Sequence, residues 1–185
     1  MPITIEIVSP FSDVIAITPP LFEDSRGNFS ETYNKEELER AGISCSFIQD
    51  NQSLSLKNGT VRGLHFQKPP FAQSKLVRVI KGTVIDVIVD LRKESATYLK
   101  SALIELSAQN RKQIFVPEGF AHGFCTLEDN TIVSYKVSAP YSKPHDAGIF
   151  WNDPDLGIEW PVESNKAILS EKDQALPTLK EFLKG

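Results

Sequence analysis

Hydrophobic and polar residues alternate with a period of two along most of the chain. In residues 83–91 the odd positions are mostly Ile, Val and Leu, while the even positions include Asp86 and Asp90. This alternation is typical of a β-strand. Similar patterns predict nine further strands, at residues 3–7, 14–18, 46–56, 61–67, 75–80, 99–106, 112–116, 123–127 and 131–137.

Turn-forming pairs separate these strands, as at Asn58-Gly59 and Asp129-Asn130. Only two helices are predicted, one over residues 35–41 with Asn34 as its N-cap, and one over residues 178–183. Many short strands without helices between them indicate an antiparallel barrel or double-sheet jelly roll rather than a βαβ fold. We therefore expect a mainly β protein with a few short helices.

Length, charge and cysteine usage limit the possible classes of function. The chain has 185 residues, which at roughly 150 residues per domain predicts a single domain over 1–185. Its formal net charge of −4 argues against nucleic-acid polymers and anionic membranes as partners, because both require a broad basic surface. A small anionic ligand remains compatible with this charge. Cys45 and Cys125 lack a metal-ligand spacing, and we expect both to be reduced, buried thiols.

The sequence shows no targeting or membrane segment. The first residues, MPITIE, lack the basic stretch and apolar run of a signal peptide. No apolar run approaches the roughly 18 residues that a membrane helix needs. We expect a cytoplasmic enzyme or binding protein.

Two of the three histidines lie in segments that resemble a known motif. His65 follows Gly59 in the order G-x5-H-x-Q, and His122 ends a P-x-G-x2-H segment. This spacing resembles the cupin barrel, whose metal sites use three His and one Glu. Strict alternation in residues 61–67 would place Arg62 on the opposite face from His65. The third histidine, His145, lies in a polar loop, and we expect it to be solvated and outside the site.

The residues at the cupin ligand positions are unsuited to a metal. The corresponding quartet is His65, Gln67, Lys75 and His122. A lysine ammonium repels a divalent cation, and zinc or iron sites typically need at least three strong N, O or S ligands. We expect no catalytic metal and a pocket suited to a negatively charged ligand.

Several longer segments resemble the dTDP-4-dehydrorhamnose 3,5-epimerase family. The resemblance extends from about residue 22 to residue 177 and rests on five segments in order: FEDSRGNFSE at 22–31, QDNQS at 49–53, RGLHFQ at 62–67, PEGFAHGF at 117–124 and LSEKD at 169–173. It implies a cupin-type jelly roll that converts dTDP-4-keto-6-deoxy-D-glucose to dTDP-4-keto-L-rhamnose for dTDP-L-rhamnose biosynthesis. Protons at C3 and C5, on either side of the C4 ketone, are removed and returned without any cofactor.

The same resemblance implies a role for each matching residue. His65 is the base, oriented by Asp173, while Lys75 supports the enolate oxygen and Tyr135 returns a proton on the opposite face. The family forms homodimers with exchanged N-terminal strands, and some binding residues cross that interface. The implied substrate-binding residues are Arg26, Glu31, Gln49, Asp50, Asn51, Arg62, Lys75, His122, Phe124, Tyr141, Asp146 and Lys172.

Two other functions remain open at this stage. A mono-epimerase acting at C3 or C5 only, in another dTDP-deoxysugar pathway, would need the same base and acid. A non-catalytic or metal-dependent cupin belongs to a different class, and stoichiometric iron, zinc or manganese would favour it.

Overall fold

The fold is a mainly β structure, described here for residues 3–184 in a computed structural model. Strands make up about 40% of the chain and helices about 10%. The strands are β1 (Thr4–Ile7), β2 (Ile15–Thr18), β3 (Phe22–Asp24), β4 (Gly27–Phe29), β5 (Gln49–Ser55), β6 (Val61–Gln67), β7 (Lys75–Lys81), β8 (Thr83–Asp90), β9 (Ser101–Ser107), β10 (Gln113–Val116), β11 (Phe120–Thr126), β12 (Thr131–Val137) and β13 (Asp146–Gly148). The helices are α1 (Lys35–Arg40), α2 (Glu171–Gln174) and α3 (Leu179–Lys184), with a 3-10 turn at Lys143–His145.

Two antiparallel sheets face each other and enclose the main core. The six-stranded sheet has the order β1-β2-β10-β7-β12-β5, and the five-stranded sheet has the order β13-β6-β11-β8-β9. Val77 and Val79 of the first sheet pack with Ile88 and Phe124 of the second. This arrangement confirms the predicted antiparallel double-sheet roll.

The outer face of the five-stranded sheet is also buried, which explains the pattern of β8. Val87 and Val89 pack outward against Ile149, Leu156 and other apolar residues of the C-terminal segment. The alternating positions point inward, so that both faces of the strand are covered. The C-terminal segment is therefore held against the sheet that carries β6 and β11.

The predicted strands and helices mostly match the observed ones. β6 and β12 have the predicted bounds, and Asn34 caps α1 by accepting a hydrogen bond from the Glu37 N–H. The prediction was wrong about the start of β11, which begins at Phe120 rather than at residue 123. It missed β3, β4, β13 and α2, because segments of three or four residues are too short to show a period.

The cysteines are free thiols, as predicted, but only one of them is fully buried. Cys125 is buried, whereas Cys45 is partly exposed at the edge of the cluster under α1. Burial raises the pKa of the Cys125 thiol to about 11. Within residues 3–184, none of the helices has the length and apolar character needed to cross a bilayer.

Candidate active site

A cavity of about 270 Å³ opens between the two sheets. The six-stranded sheet contributes residues from β5, β7 and β12, and the five-stranded sheet contributes residues from β6 and β11. The C-terminal segment closes one side with α2 and the residue before it. The lining residues are Ser53, Arg62, His65, Lys75, His122, Phe124, Tyr135, Ser170, Lys172 and Asp173.

A bulge at Gly63 decides which side chains of β6 face this cavity. His122 pairs with His65, but Phe124 pairs with Arg62, so β6 carries one extra residue between these pairs. Gly63 has a φ of +125°, and a Cβ there would lie 2.8 Å from the His122 carbonyl oxygen. The bulge resets the alternation, so Arg62 and His65 both line the cavity. The prediction that Arg62 faces away from His65 was therefore wrong.

His65 is paired with a carboxylate from the far end of the chain. Its Nε2 lies 2.5 Å from Asp173 Oδ1, and the Asp173 side chain is only 4% exposed. Burial by itself raises the pKa of Asp173, but the hydrogen bonds from His65 and Ser170 outweigh it and leave this pKa below its usual value. An ionised Asp173 accepts a hydrogen bond from the Nε2–H of a neutral imidazole, and the lone pair of that imidazole is then on Nδ1.

A short helix positions Asp173. It lies on α2, where the Ser170 hydroxyl caps the helix by accepting a hydrogen bond from the Asp173 N–H. The short helix fixes the carboxylate against β6.

Lys75 brings a positive charge into the cavity and forms no salt bridge with a carboxylate of residues 3–184. Its Nζ donates one long hydrogen bond, of 3.5 Å, to the His65 carbonyl oxygen. Burial lowers the pKa of Lys75 to about 8, although Asp86 and Asp146 partly oppose this shift. The ammonium is therefore largely present at neutral pH and is lost in mildly alkaline solution.

Tyr135 lies on the other sheet from His65. It is half-buried on β12 and packs against the inter-sheet core, while its ring also lines the cavity. Burial raises the pKa of the Tyr135 phenol, and the charges of Arg62 and Lys172 lower it in part. The phenol is therefore protonated at neutral pH and able to donate a proton.

His122 is held by a second buried carboxylate. Its Nε2 lies 2.8 Å from Asp86 Oδ2, and Asp86 is fully buried. Phe124, two residues further along β11, lines the cavity from the core side. These residues form a rigid wall behind the reactive groups.

A neighbouring space of about 230 Å³ extends the cavity toward the loop after β12. The two spaces share His65, Lys75, Tyr135 and Lys172. The Tyr141 hydroxyl donates a hydrogen bond to Asp146 Oδ2, 3.1 Å away, and the same carboxylate accepts one from Lys172. The additional lining residues are Gln49, Asn51, Phe66, Gln67, Gln73, Tyr141 and Asp146.

Three residues predicted to bind substrate do not reach either space within one chain. Arg26 lies on the exposed β3–β4 hairpin and is ion-paired with Asp24. Glu31 accepts a hydrogen bond from Asn34, and Asp50 forms an ion pair with Lys136. Alternation along β5 explains Asp50, because Gln49 and Asn51 face the cavity and the residue between them faces away.

His145 is outside the cavity, but it is not simply solvated. Its Nδ1 lies 2.7 Å from the Ser142 hydroxyl, and its ring is 4.7 Å from that of Phe71. The expectation of a solvated side chain was therefore wrong. It helps to order the loop that carries Tyr141 and Asp146.

Sequence reasoning missed two hydroxyl groups of the main cavity. Ser53 lies on β5, two residues after Asn51, and its buried Oγ has no hydrogen-bond partner among residues 3–184. Ser170 precedes α2 in the LSEKD segment. The alternation from Gln49 and Asn51 to Ser53 could have identified the first. Across residues 3–184, no group of three or more His, Cys, Asp or Glu is placed to hold a metal ion.

Comparison with known proteins gives consistent matches over nearly the whole chain. The profile of the dTDP-4-dehydrorhamnose 3,5-epimerase family matches residues 9–181. A curated dTDP-4-dehydrorhamnose 3,5-epimerase from Sinorhizobium fredii is 50% identical over 171 residues, covering 92% of this chain and 87% of the relative.

Solved structures agree with the sequence matches. The dTDP-4-dehydrorhamnose 3,5-epimerase of Bacillus anthracis, solved with TDP and PPi bound, has a TM-score of 0.92 and 53% identity, covering 96% of this chain and 99% of that one. The dTDP-6-deoxy-D-glucose-3,5-epimerase of Legionella pneumophila, in complex with dTDP-4-keto-L-rhamnose, has a TM-score of 0.90 and 37% identity, covering 96% and 93%.

Proposed function

Because the chain belongs to the dTDP-4-dehydrorhamnose 3,5-epimerase family, we propose that its inter-sheet cavity converts dTDP-4-keto-6-deoxy-D-glucose to dTDP-4-keto-L-rhamnose. The protein is thus an isomerase of the carbohydrate epimerase class. The observation that carries the proposal is that His65, paired with Asp173 of α2, lies on one sheet while Lys75 and Tyr135 lie on the facing sheet. A sugar ring between the sheets has a base on one side and an acid on the other.

His65 removes the proton next to the ketone. The Nδ1 lone pair accepts the proton from C3 or C5, and the imidazolium that forms is stabilised by Asp173, 2.5 Å from Nε2. The C–H bond breaks and its electron pair moves into the C–C bond toward C4, which gives an enolate. Asp173 positions the ring and stays ionised throughout.

Lys75 stabilises the negative charge that develops on the C4 oxygen. A cation held in a water-poor pocket before the reaction starts is more effective than one in bulk water, because it does not need to reorganise. Burial of Lys75 between the sheets fits this role. The ketone makes the neighbouring protons acidic enough that the scheme needs no redox cofactor.

Tyr135 supplies a proton to the opposite face of the ring. Its phenol is protonated at neutral pH, since burial raises its pKa. Donation to the carbanion carbon from this side inverts the centre, and solvent then restores both His65 and Tyr135 to their starting states. His122 and Phe124 form the wall against which the ring rests.

The nucleotide part of the substrate extends from the main cavity into the neighbouring space. Arg62 and Lys172 contact the diphosphate, since guanidinium and ammonium groups match phosphate oxygens. Gln49 and Asn51 provide polar contacts for the thymidine, with Tyr141 available to stack on the base. Asp146 orients Tyr141 and Lys172 through its two hydrogen bonds.

The proposal also includes a homodimer in which Arg26 and Glu31 serve the partner's cavity. The hairpin that precedes Glu31 is exposed and carries Phe22 and Phe29, whose side chains are 45% and 67% exposed. All four residues of β1 are exposed in the single chain, although two of them are isoleucine. A second copy would cover these apolar side chains. The single domain over 1–185 and the cytoplasmic location stay predictions.

We predict that two inactive variants restore each other when mixed. A heterodimer of His65→Ala and Arg26→Gln contains one cavity with an intact His65 and an Arg26 from the other subunit. Random exchange of subunits should recover about a quarter of the wild-type rate. Each variant alone is the control, and light scattering checks the dimer. Failure to recover activity would show that Arg26 does not act across the interface.

The function itself is tested by proton NMR of dTDP-4-keto-6-deoxy-D-glucose with the protein in heavy water. We expect deuterium at both C3 and C5 and the appearance of the L-rhamno product. Exchange at only one carbon would identify a mono-epimerase. No exchange at either carbon, with a folded dimer, would contradict the proposed function.

A further inference from the structure

The side-chain amide of Gln67 binds two neighbouring loops. Gln67 is the last residue of β6 and is only 7% exposed. Its Nε2 donates hydrogen bonds to the carbonyl oxygens of Phe71, 2.7 Å away, and Pro140, 3.1 Å away. Its Oε1 accepts a hydrogen bond of 2.7 Å from the Ser142 N–H. The amide therefore joins the loop after β6 to the loop after β12.

These three contacts require the particular chemistry of a glutamine. A primary amide has two N–H donors and one carbonyl oxygen, and here both kinds of group are used. A neutral histidine has one donor and one acceptor, and an ionised glutamate has no donor, so neither can bind two carbonyl oxygens and an N–H at once. Gln67 occupies one of the four cupin ligand positions described above. Its contacts give a physical reason for an amide at that position.

Tyr141 lies between the two residues that Gln67 holds in the loop after β12, Pro140 and Ser142. Its side chain lines the space where we place the nucleotide. Its hydroxyl donates a hydrogen bond to Asp146, which is also the strand partner of Gln67 in the β6–β13 pairing. The side chain and the backbone of Gln67 thus hold the chain on both sides of Tyr141.

The position of the Tyr141 ring depends on the backbone that carries it. Tyr141 is 59% exposed, so packing against the protein contributes little to its placement. Gln73 adds one hydrogen bond of 2.7 Å to the Ala139 carbonyl oxygen, just before the part that Gln67 holds. An aromatic ring on an ordered backbone loses less conformational entropy when it stacks on a base, and it therefore binds more tightly.

We propose that Gln67 is a positioning residue for nucleotide binding, which fixes Tyr141 against the base by holding the backbone of residues 140–142. The inference rests on the proposed function, because it requires the nucleotide to lie in the neighbouring space. Gln67 takes no part in proton transfer, since a side-chain amide does not titrate near neutral pH and both of its ends are bound to backbone groups. Its substitution therefore changes nucleotide affinity rather than the chemical step.

The test is calorimetric titration of Gln67 variants with dTDP. Gln67→Met keeps most of the side-chain volume but removes all three hydrogen bonds, and Gln67→Glu keeps the shape but removes the two donors. Each should weaken dTDP binding by about tenfold or more. Gln174→Met changes an exposed glutamine and is the matched control, which should keep the wild-type affinity. In turnover assays Gln67→Met should raise KM and keep kcat within about threefold of the wild-type value.

A second substitution tests whether Gln67 acts through Tyr141. In a Tyr141→Ala background the ring is already absent, so adding Gln67→Met should weaken dTDP binding by less than about twofold. The same tenfold loss in both backgrounds would overturn the inference, because Gln67 would then act independently of Tyr141. Unchanged dTDP affinity in Gln67→Met would overturn it as well. Wild-type protein that binds dTDP but leaves the substrate protons in place would contradict the proposed function and not this inference.

Amide hydrogen exchange shows whether a variant is locally or globally disturbed. Gln67→Met should exchange faster in residues 138–146 and at the wild-type rate in β8 and β11. Faster exchange in β8 and β11 as well would make Gln67 a residue of general stability and would overturn its positioning role.

Discussion

Replacing His65 by alanine should abolish the exchange of substrate protons with solvent and lower kcat by a factor of about 10² to 10⁴ or more. The physical reason is that the Nδ1 lone pair is the proposed base, while Nε2 is engaged in its hydrogen bond with Asp173. His122 also pairs with a carboxylate, that of Asp86, but we place it in the wall against which the sugar ring rests rather than at the reacting carbons. The measurement is deuterium incorporation at C3 and C5, followed by proton NMR.

Two matched variants separate the base from its neighbours. Asp173→Asn keeps the imidazole and its hydrogen bond but removes the charge that stabilises the imidazolium, so slow exchange should remain. Tyr135→Phe keeps the base intact, so exchange should continue while inversion is impaired. Exchange at both carbons in His65→Ala at the wild-type rate would show that the base lies elsewhere.

Replacing Lys75 by methionine should lower kcat by a factor of about 10² to 10³, the usual effect of losing one donor to a developing oxyanion. Methionine preserves most of the side-chain volume, so the change is mainly one of charge. KM should change much less than kcat, because the oxyanion forms only in the reaction. A KM effect with an unchanged kcat would instead place Lys75 in ground-state binding.

The pH profile gives a second, independent readout for Lys75. Its pKa of about 8 implies that the ammonium is lost as pH rises through 8, so kcat should fall about tenfold for each pH unit above that value. The Tyr135 phenol does not contribute to this decline, since burial moves its pKa upward. In Lys75→Arg the guanidinium stays charged, and the alkaline decline should disappear even if the rate is reduced. A decline that persists in Lys75→Arg would show that another group causes it.

The free energy of unfolding should rise over the pH range in which kcat falls. The folded protein has a lowered Lys75 pKa, so between about pH 8 and 10.5 the unfolded chain binds more protons than the folded one. Lys75 therefore destabilises the fold below pH 8, and this effect is relieved as the pH rises. Lys75→Met should remove it altogether, giving a less active but equally or more stable protein.

The fold was largely predictable from the sequence because alternation is a strong local signal. β6 and β12 were placed with their full bounds, since each has a buried face over seven residues. The exposed β3–β4 hairpin could not be found in this way, because strands of three residues carry no period and their apolar side chains face outward in one chain. In the proposed homodimer a second subunit would cover these side chains, and contacts of that kind do not produce alternation in the sequence.

The active site was predictable in its residue types but not in its geometry. The motif around His65 predicts the base, and the structure places His65 in the cavity. The face of Arg62, however, depends on the close approach of Gly63 to Gly123, where a Cβ on Gly63 would lie 2.7 Å from the Gly123 Cα. Such a close approach between two strands does not change the alternation of hydrophobic and polar residues in either segment, so the sequence alone does not reveal it. The buried position of Asp173 likewise depends on the docking of α2 against β6, a long-range contact.

The His65–Asp173 pair joins positions 108 residues apart along the chain. Synthesis from the ribosome therefore delivers the imidazole, the ammonium and the phenol well before the carboxylate that orients the base. A nascent or prematurely terminated chain that lacks α2 has no oriented base, whatever part of the sheets has already formed. We therefore expect the epimerase activity of a chain that ends before α2 to fall at least as far as that of Asp173→Asn.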